Sequence, residues 1–403
     1  MLRSALLMGT LVCCALSPGC PAPASGDPAD AALANNAFGL DLYQRLSAKD
    51  GNLFFSPASV SLALAMTWYG AREATEQQMS GVLRLQGDRD QVLDGFGSWL
   101  ASLQPAQDDY TLRVANRLWG DRELPFRGEF LDPLRTRFGA PLEQLDFRAD
   151  PEQARLTIND WVADRTEQRI LDLLVPGTIT RDTGLVLTNA IYFLAAWSEP
   201  FRDHLTKEEP FFPTGGVQVT VPLMERTGSF AYHETDQLQM VTLPYKSGEL
   251  EMIVLLPRQR DGLPALEKGL DPAALDGWLQ ARQRVPVRCR IPRFRLEGAF
   301  QLPKVLAAMG MPLAFDPAGA DFSGMTGTRD LFISDVVHRA FVAVDEQGTE
   351  AASATAVIME KTSIAMPPKD PVLFQADHPF VFLIRHPGSG AVLFLGRLQN
   401  PAG

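Results

Sequence analysis

Cysteine is scarce in this chain. Of its four cysteines, Cys13, Cys14 and Cys20 lie within the first twenty residues, and Cys289 lies in the remainder. An internal disulfide framework is therefore excluded for the main body of the protein, whose stability must come from a packed core. Cys289 alternates with charged residues in VRCRIPRFRL, which predicts a side chain on the inward face of a strand.

The chain also lacks the short motifs of common enzyme classes. It contains no HExxH, no paired CxxC, no GxGxxG after a strand and no phosphate-binding P-loop. Because its five histidines are scattered without metal-ligand spacing, we expect no metal site and no cofactor. The remaining catalytic alternative is a hydrolase whose Ser–His–Asp triad assembles only in space, but nothing resembles a nucleophile elbow. We therefore expect that the protein is not an enzyme.

Clustered positive charge is missing as well. The formal net charge is −11, from 37 Lys and Arg residues against 48 Asp and Glu residues, and the basic residues are scattered. Proteins that bind nucleic acid present a basic face or stripe. The sequence therefore predicts a solvated acidic surface and no nucleic-acid partner.

The N-terminus has the features of an export signal. Arg3 precedes an apolar run from Ala5 to Leu16, which is too short to span a bilayer and is typical of a secretory signal peptide. We expect the chain to divide into a signal (1–20), a flexible tether (21–33) and a folded domain (34–403).

Two ways of processing this signal remain open. The sequence LSPGC, ending at Cys20, resembles the lipobox of bacterial lipoproteins, in which the cysteine is lipid-modified, although Ser17 stands where leucine is usual and Pro18 is atypical. The alternative is ordinary cleavage after Ala24 in the sequence APA. Either way we expect an exported bacterial protein that is extracellular, periplasmic or anchored to a membrane through lipid on Cys20.

Helical patterns concentrate early in the chain and strand patterns late. Ser56-Pro57 is typical of a helix start, and apolar spacing indicates a further helix within residues 151–174. Short β-rich runs follow, the last two joined by a hairpin around PGSG: VLTNAIYF, MIVLLP, FVAV, PFVFLIRH and AVLFLGRL. With 46% hydrophobic residues and no linker-like stretch after residue 30, the sequence predicts a single α+β domain.

A run of small residues stands out against this background. Residues 344–357 read VDEQGTEAASATAV, directly after an apolar stretch. Small, weakly polar side chains suit an exposed loop, yet alternate positions could also enter a sheet without steric conflict. The run resembles the hinge of the serpins, whose reactive loop inserts into their own central sheet after a protease cuts it.

Further serpin-like blocks occur in the same order over most of residues 34–400. They are NLFFSPASVSLALAMTWYGA (52–71), INDWVADRTEQRILDLLVPG (158–177), TGLVLTNAIYFLAAW (183–197), VPLMERTGSFAY (221–232), LPYKSGELEMIVLLP (243–257), ADFSGM (320–325), LFISDVVHRAFVAVDEQGTEAA (331–352) and DHPFVFLIRHPGSGAVLFLGRLQNP (377–401). The chain departs from the family at Glu73 and Ala195, where glycine is common, and at Leu194, where lysine is common.

The resemblance implies a serpin domain with N-terminal helices, large mixed and antiparallel central sheets, and an exposed reactive-centre loop at about 346–370. It implies a hinge formed by Glu346, Gly348, Thr349, Glu350, Ala351, Ala352, Ser353 and Ala354. Counting the family's usual spacing from Gly348 places the cleaved bond at Thr362–Ser363, or at Lys361–Thr362 if the register slips by one. Threonine suits a shallow elastase-like pocket and Lys361 a trypsin-like one.

The resemblance also assigns a polar cluster beneath the sheet, formed by Ser56, Ser59, Asn189 and His338. We expect these groups to hydrogen-bond one another and to hold two strands closed until the sheet opens. The alternative is a static core network with one helix cap.

The function that follows is that of a single-use inhibitor. The protein would form a covalent complex with a target serine, or cysteine, endopeptidase and trap it by inserting the cut loop; we expect a monomer without cofactors. The alternative is a non-inhibitory carrier or chaperone of the same fold. The inward positions Thr349, Ala351, Ser353 and Thr355 favour inhibition, because they carry neither charge nor bulk.

Overall fold

The computed structural model describes residues 26–103, 110–139, 142–349 and 370–402. The α-helices within these ranges are α1 (Pro28–Leu46), α2 (Pro57–Gly70), α3 (Glu73–Leu83), α4 (Arg89–Ser102), α5 (Gly128–Phe138), α6 (Pro151–Arg165), α7 (Leu263–Gly269), α8 (Pro272–Ala281), α9 (Pro303–Met309) and α10 (Ser323–Thr326). No helix in this part of the chain is long and apolar enough to cross a membrane.

The strands form two sheets. They are β1 (Leu53–Phe55), β2 (Tyr110–Asp121), β3 (Glu143–Leu145), β4 (Leu185–Ala196), β5 (Lys207–Phe211), β6 (Val219–Glu234), β7 (Leu238–Pro244), β8 (Glu251–Pro257), β9 (Gln283–Pro292), β10 (Phe294–Gln301), β11 (Ile333–Val344), β12 (Gly348–Thr349), β13 (Val372–Gln375), β14 (Phe380–His386) and β15 (Ala391–Leu398). One sheet has the order β1-β15-β14-β8-β7-β6-β9-β13, with β5 on β6, and the other β10-β11-β12-β4-β2-β3. The expected α+β architecture and the β14–β15 hairpin are confirmed.

In the second sheet, two long central strands are in direct contact. Residues 333–340 of β11 pair in parallel with residues 185–191 of β4, and the two-residue β12 separates these strands only at one end. Parallel neighbours far apart in sequence are joined by long connections rather than by a hairpin. We call the line of contact between β4 and β11 the seam. The two strands pair directly along most of the seam, and β12 separates them at one end.

Helix α2 lies between the two sheets and is buried along nearly its whole length. Ser56 caps it, because the Ser56 hydroxyl accepts a hydrogen bond from the Ser59 amide at 3.1 Å, and Pro57 occupies the first turn, as predicted. Helix α6 covers the opposite face of the second sheet. Its Ile158 and Val162 belong to a small separate core that includes Val186 on β4 and Val337 on β11.

Two boundaries differ from the sequence expectation. Residues 28–33, expected in the flexible tether, are the first turns of α1, where Asp27 caps the helix and Ala31 and Ala32 are buried. Alanine is a strong helix former, and its burial adds an apolar contribution that composition alone does not reveal.

The helix expected within residues 151–174 ends at Arg165. Glu167 and Gln168 then adopt left-handed backbone conformations, with φ of 51° and 60°. Ile170, Leu173 and Leu174 are nevertheless buried. Their apolar spacing therefore arises because the segment after α6 packs into the core, and not because the helix continues.

Candidate functional site

The candidate site begins where the chain reverses direction after β11. The Asp345 carboxylate accepts hydrogen bonds from the amides of Gln347 at 2.9 Å and Gly348 at 3.1 Å, and the Asp345 amide donates to the Gly348 carbonyl. An Asx-type turn of this kind replaces backbone partners with a side chain. It directs the following residues back between β11 and β4.

Strand β12 occupies the parted end of the seam. Gly348 lies opposite Ala196, and Thr349 lies opposite Ala195 on β4 and Val344 on β11. A Cβ atom at residue 348 would lie 2.1 Å from the Ala195 carbonyl oxygen, so a side chain there would clash with backbone. Glycine at 348 is therefore required for this close approach.

The first inward-facing hinge side chain is fully buried. Thr349 has no exposed surface, and its hydroxyl lies 2.6 Å from the Tyr245 hydroxyl. The Tyr245 ring stacks on Trp197 with ring centroids 4.6 Å apart, and the Trp197 indole donates to the Asp345 carbonyl at 3.0 Å. Burial raises the pKa of Tyr245 far above its usual value, so it remains a neutral partner for Thr349. Thr349, which the sequence analysis expects to face inward on insertion, is thus already buried in the uncut chain.

Glu346 anchors the base of the hinge. Its carboxylate accepts hydrogen bonds from Arg293 and from the Thr206 hydroxyl, both at 2.6 Å, and the residue is 4% exposed. Burial alone would raise the pKa of Glu346, but the hydrogen bonds from Arg293 and Thr206 outweigh it and hold this pKa below its usual value. Glu346 is therefore a buried, fully ionised anchor.

The other predicted loop residues lie outside the described residues. They are Glu350, Ala351, Ala352, Ser353, Ala354, Lys361, Thr362 and Ser363, and Cys20 also falls outside. In the part that is described, no group of three or more His, Cys, Asp or Glu side chains is arranged to hold a metal ion.

The structure brings the four residues of the predicted polar cluster together. His338 on β11 lies opposite Asn189 on β4, and the His338 Nε2 atom accepts a hydrogen bond from the Ser56 amide at 3.0 Å. The Ser56 hydroxyl donates to the Leu393 carbonyl at 2.6 Å while it caps α2. The buried start of α2 is thus tied to both sheets.

Asn116 is a fifth member that the sequence analysis missed. Asn116 lies on β2, opposite Asn189 of β4. Its side-chain oxygen accepts a hydrogen bond from the Ser59 hydroxyl at 2.6 Å, and its side-chain nitrogen donates one to the Ser59 carbonyl at 2.7 Å. A polar residue within the alternating strand RVANRLWG was the available signal. Its partner could not be identified without the β2–β4 register.

The expectation that the four predicted groups satisfy one another is wrong for Asn189. Both polar atoms of the Asn189 side chain are buried without a hydrogen bond to any described residue, and so is the His338 Nδ1 atom. Unpaired buried polar groups each cost about 1–3 kcal/mol. The cluster is therefore not a fully hydrogen-bonded network, because part of it is unpaired where β4 and β11 are in contact.

Burial sets the charge of His338. The loss of hydration lowers the pKa of His338 to about 3, although an interaction with the Asn189 backbone opposes this shift in part. The ring is neutral at ordinary pH. Because its Nε2 atom accepts from Ser56, the proton is on Nδ1.

The fold and the partly opened seam correspond to one class of proteins. The family model described as "Serpin (serine protease inhibitor)" matches residues 33–401. The chain is 40% identical to leukocyte elastase inhibitor of Equus caballus over 379 residues, covering 91% of this chain and 98% of that protein. It is also 40% identical to a serpin-like protein of Thermococcus kodakarensis over 367 residues, covering 91% of this chain and 84% of that protein.

A solved structure agrees. Uncleaved ovalbumin superimposes with a TM-score of 0.83 at 30% identity, covering 92% of this chain and all of that one. The protein belongs to the serpin family, and the family resemblance is confirmed. By the description of its model this is a family of protease inhibitors and not of enzymes.

Proposed function

We propose that this serpin is a suicide-substrate inhibitor of serine endopeptidases. The observation that carries the proposal is the hinge itself: Gly348 and Thr349 are paired with both β4 and β11, and the Thr349 side chain is fully buried. The first residues of an inserting strand are already in place as β12, so insertion of a cut loop would extend β12 along β4 and β11.

The sequence beyond the hinge supports continued insertion. Ala351, Ser353 and Thr355 follow Thr349 at alternate positions and are small and uncharged. Alternate residues of a strand point to the same face, so these side chains would enter the face that already receives Thr349. Small neutral groups avoid the cost of burying charge or bulk.

Insertion would transport and disable an attached protease. About fourteen residues at roughly 3.3 Å each move the acyl-enzyme by some tens of ångströms. New ladder hydrogen bonds of about 1 kcal/mol each release on the order of 10 kcal/mol. Loss of a single oxyanion donor slows an enzyme by about 100-fold or more, so distortion on this scale stops deacylation.

The proposed target class is elastase-like. Thr362 stands before the expected cleaved bond and is small, and the horse relative is named for elastase inhibition. Lys361 gives a second, trypsin-like option through charge pairing with an acidic pocket. Cysteine endopeptidases are a further class of target for the same loop.

The test is incubation with pancreatic elastase and with trypsin, followed by a denaturing gel and N-terminal sequencing of the released C-terminal fragment. We expect a denaturant-stable complex and a fragment that starts at Ser363 or Thr362. Cleavage without any complex would overturn inhibition and favour a non-inhibitory binding protein. A fragment that starts elsewhere would refute the assigned bond.

We also propose export, lipidation at Cys20 and a monomeric serpin body. The support is the apolar segment Ala5–Leu16 followed by LSPGC, and helix α1 begins eight residues after Cys20. A lipidated N-terminus would tether the domain without inserting it into the bilayer. Mass spectrometry of natively expressed protein decides the modification, since an unmodified N-terminus beyond residue 20 would exclude it.

A further inference from the structure

A partly open cavity lies between the first turns of α1, the connection from α3 to α4, and α4 itself. Its volume is about 470 Å³. Sites for small molecules have volumes of about 300–1,000 Å³. None of the residues that line the cavity belongs to β4, β11 or β12, so it is separate from the hinge and the seam. The proposed inhibitory function makes no use of it.

The wall of the cavity is mostly apolar and is already formed. Gly95 on α4 packs against the start of α1, because a Cβ atom at residue 95 would lie 3.2 Å from the Asp27 carbonyl oxygen. Close packing of this kind fixes the two helices relative to each other without a ligand. Leu33 is 60% exposed, so a bound apolar group would remove its surface from water. The apolar residues that line the cavity are Ala31, Leu33, Ala34, Leu85, Val92 and Phe96.

The unpaired charges at the cavity are acidic. Asp27 and Asp30 line it, and neither carboxylate forms an ion pair with a Lys or Arg among the described residues. Arg84 also lines the cavity, but its guanidinium is paired with Asp41 at 2.6 Å. The positive end of the α1 dipole offsets only about half an elementary charge. Net negative charge therefore faces the cavity.

We propose that this cavity binds a small hydrophobic amine, with its apolar body against Leu33, Val92 and Phe96 and its ammonium group at Asp27 and Asp30. An ammonium group donates hydrogen bonds to carboxylates and is attracted by both charges. A neutral molecule of the same shape would fill the cavity but leave both carboxylates unpaired, and an anion would be repelled. The cavity thus selects its ligand by charge as well as by shape.

The test is isothermal titration calorimetry of the natively processed protein with three probes that share one apolar body: adamantylamine, adamantanol and adamantane carboxylate. At neutral pH and low salt we expect the amine to bind about fivefold more tightly than the alcohol, and the carboxylate to bind most weakly. Added salt should reduce the preference for the amine, because the carboxylates are close to solvent. Equal affinities for the amine and the alcohol, or tightest binding of the carboxylate, would overturn the proposal.

Variants assign the binding to this cavity. Asp27→Asn keeps the helix cap, and combined with Asp30→Asn it should abolish the preference for the amine while adamantanol binds as before. Asp50→Asn combined with Asp276→Asn removes two exposed charges elsewhere and should leave the preference unchanged. Leu33→Ala should weaken binding of all three probes by a similar factor of about threefold. If the amine binds every variant equally well, its site lies elsewhere and the inference is wrong.

Other occupants of the cavity give distinct results. A dimer in sedimentation experiments that binds the amine only after dilution to monomer would mean that a second copy covers the cavity. Binding that appears only after removal of the residues before Gly26 would mean that the chain's own N-terminus covers it. Either result would overturn the proposal. Trapping of elastase is measured in parallel, and we expect the Asp27→Asn, Asp30→Asn variant to trap as well as wild type, because its substitutions lie outside the hinge. Loss of trapping in that variant would contradict the separation of the cavity from the hinge.

Discussion

At the scale of single residues, burial and backbone conformation decide which positions tolerate change. Thr349 is fully buried beside Tyr245, whereas its near neighbour Gln347 lies in the partly exposed turn. Both are close to the loop in sequence, yet the surroundings of their side chains differ completely. The first prediction uses this contrast.

Replacing Thr349 with Arg should convert the inhibitor into a substrate. Because Thr349 is already buried in the intact chain, an arginine at this position should hold β12 out of the seam. Its re-entry during insertion would bury an unpaired charge at a cost of several kcal/mol, so deacylation proceeds first. On incubation with elastase we expect complete cleavage without a denaturant-stable complex. Gln347→Arg adds the same charge where water can reach it and should still trap the enzyme; equal trapping by both variants would exclude the insertion mechanism.

Glu73 is strained by its backbone. It starts helix α3 with φ of +50°, in the left-handed region, at a position where the family commonly has glycine. Non-glycine residues pay about 1–2 kcal/mol for that conformation. Glu73→Gly should therefore raise the free energy of unfolding by about 1 kcal/mol, measured by denaturant unfolding. Gln77→Gly, on the exposed side of the same helix, should lower it by about 1 kcal/mol.

At the scale of the elements, the seam between β4 and β11 restricts which side chains insertion can accept. If the proposed insertion extends β12 along β4 without a bulge, Val357 would lie opposite Leu187 and Met359 opposite Leu185. Leu185 and Leu187 are fully buried. The end of a strand inserted in this way would therefore meet an apolar environment, and the apolar side chains of Val357 and Met359 would suit it.

Replacing Met359 with Glu should make trapping less efficient. A carboxylate entering beside Leu185 must lose its hydration or take up a proton, so it slows the last steps of insertion. We expect more inhibitor molecules to be consumed per elastase inactivated, as measured by titration of enzyme activity. Met359→Leu keeps an apolar side chain of similar volume and should trap as well as wild type.

A second glutamate variant controls for charge near the cleaved bond. Met366→Glu adds the same charge beyond the expected Thr362–Ser363 bond, on the fragment that does not insert. We expect it to have a smaller effect than Met359→Glu on the number of inhibitor molecules consumed. Equal losses in the two variants would show that charge near the cleaved bond matters rather than burial in the seam.

Much of this element-level organisation was predictable from sequence. The cap at Ser56, the β14–β15 hairpin and the inward phase of Thr349 follow from local rules of capping, turn chemistry and alternation. The role of Asn116 and the unpaired state of Asn189 did not follow, because both depend on which residues face each other across strands that are distant in sequence.

At the scale of the whole molecule, the buried polar cluster links stability to pH. The pKa of His338 is about 3 in the folded protein and about 6.5 when the chain is unfolded. Because the pKa of His338 is lower in the folded protein, the unfolded state takes up the proton first as the pH falls. The contribution of neutral His338 to the free energy of unfolding is therefore fully present above about pH 6.5 and decreases as the pH falls from there towards 3.

We expect intact protein to lose about 2 kcal/mol from this group between pH 7 and pH 5. Denaturant midpoints measured across this range give the loss for wild type. His338→Gln removes the titrating ring and should flatten the dependence, whatever its effect on stability at pH 7. An unchanged slope in that variant would assign the pH dependence to other groups.

Helix α6 adds a mechanical consequence for the whole molecule. Its Ile158 and Val162 share one hydrophobic cluster with Val186 of β4 and Val337 of β11, so this cluster spans the two strands that the proposed insertion would separate. Neighbouring strands in a sheet are about 4.8 Å apart, so an added strand would move Val186 and Val337 apart by about this distance. Contacts between α6 and one of the two strands would therefore have to break during the proposed insertion and form again on the added strand. In such a strand, Ala352, Ala354 and Ala356 would alternate with the inward positions and present only methyl groups to α6.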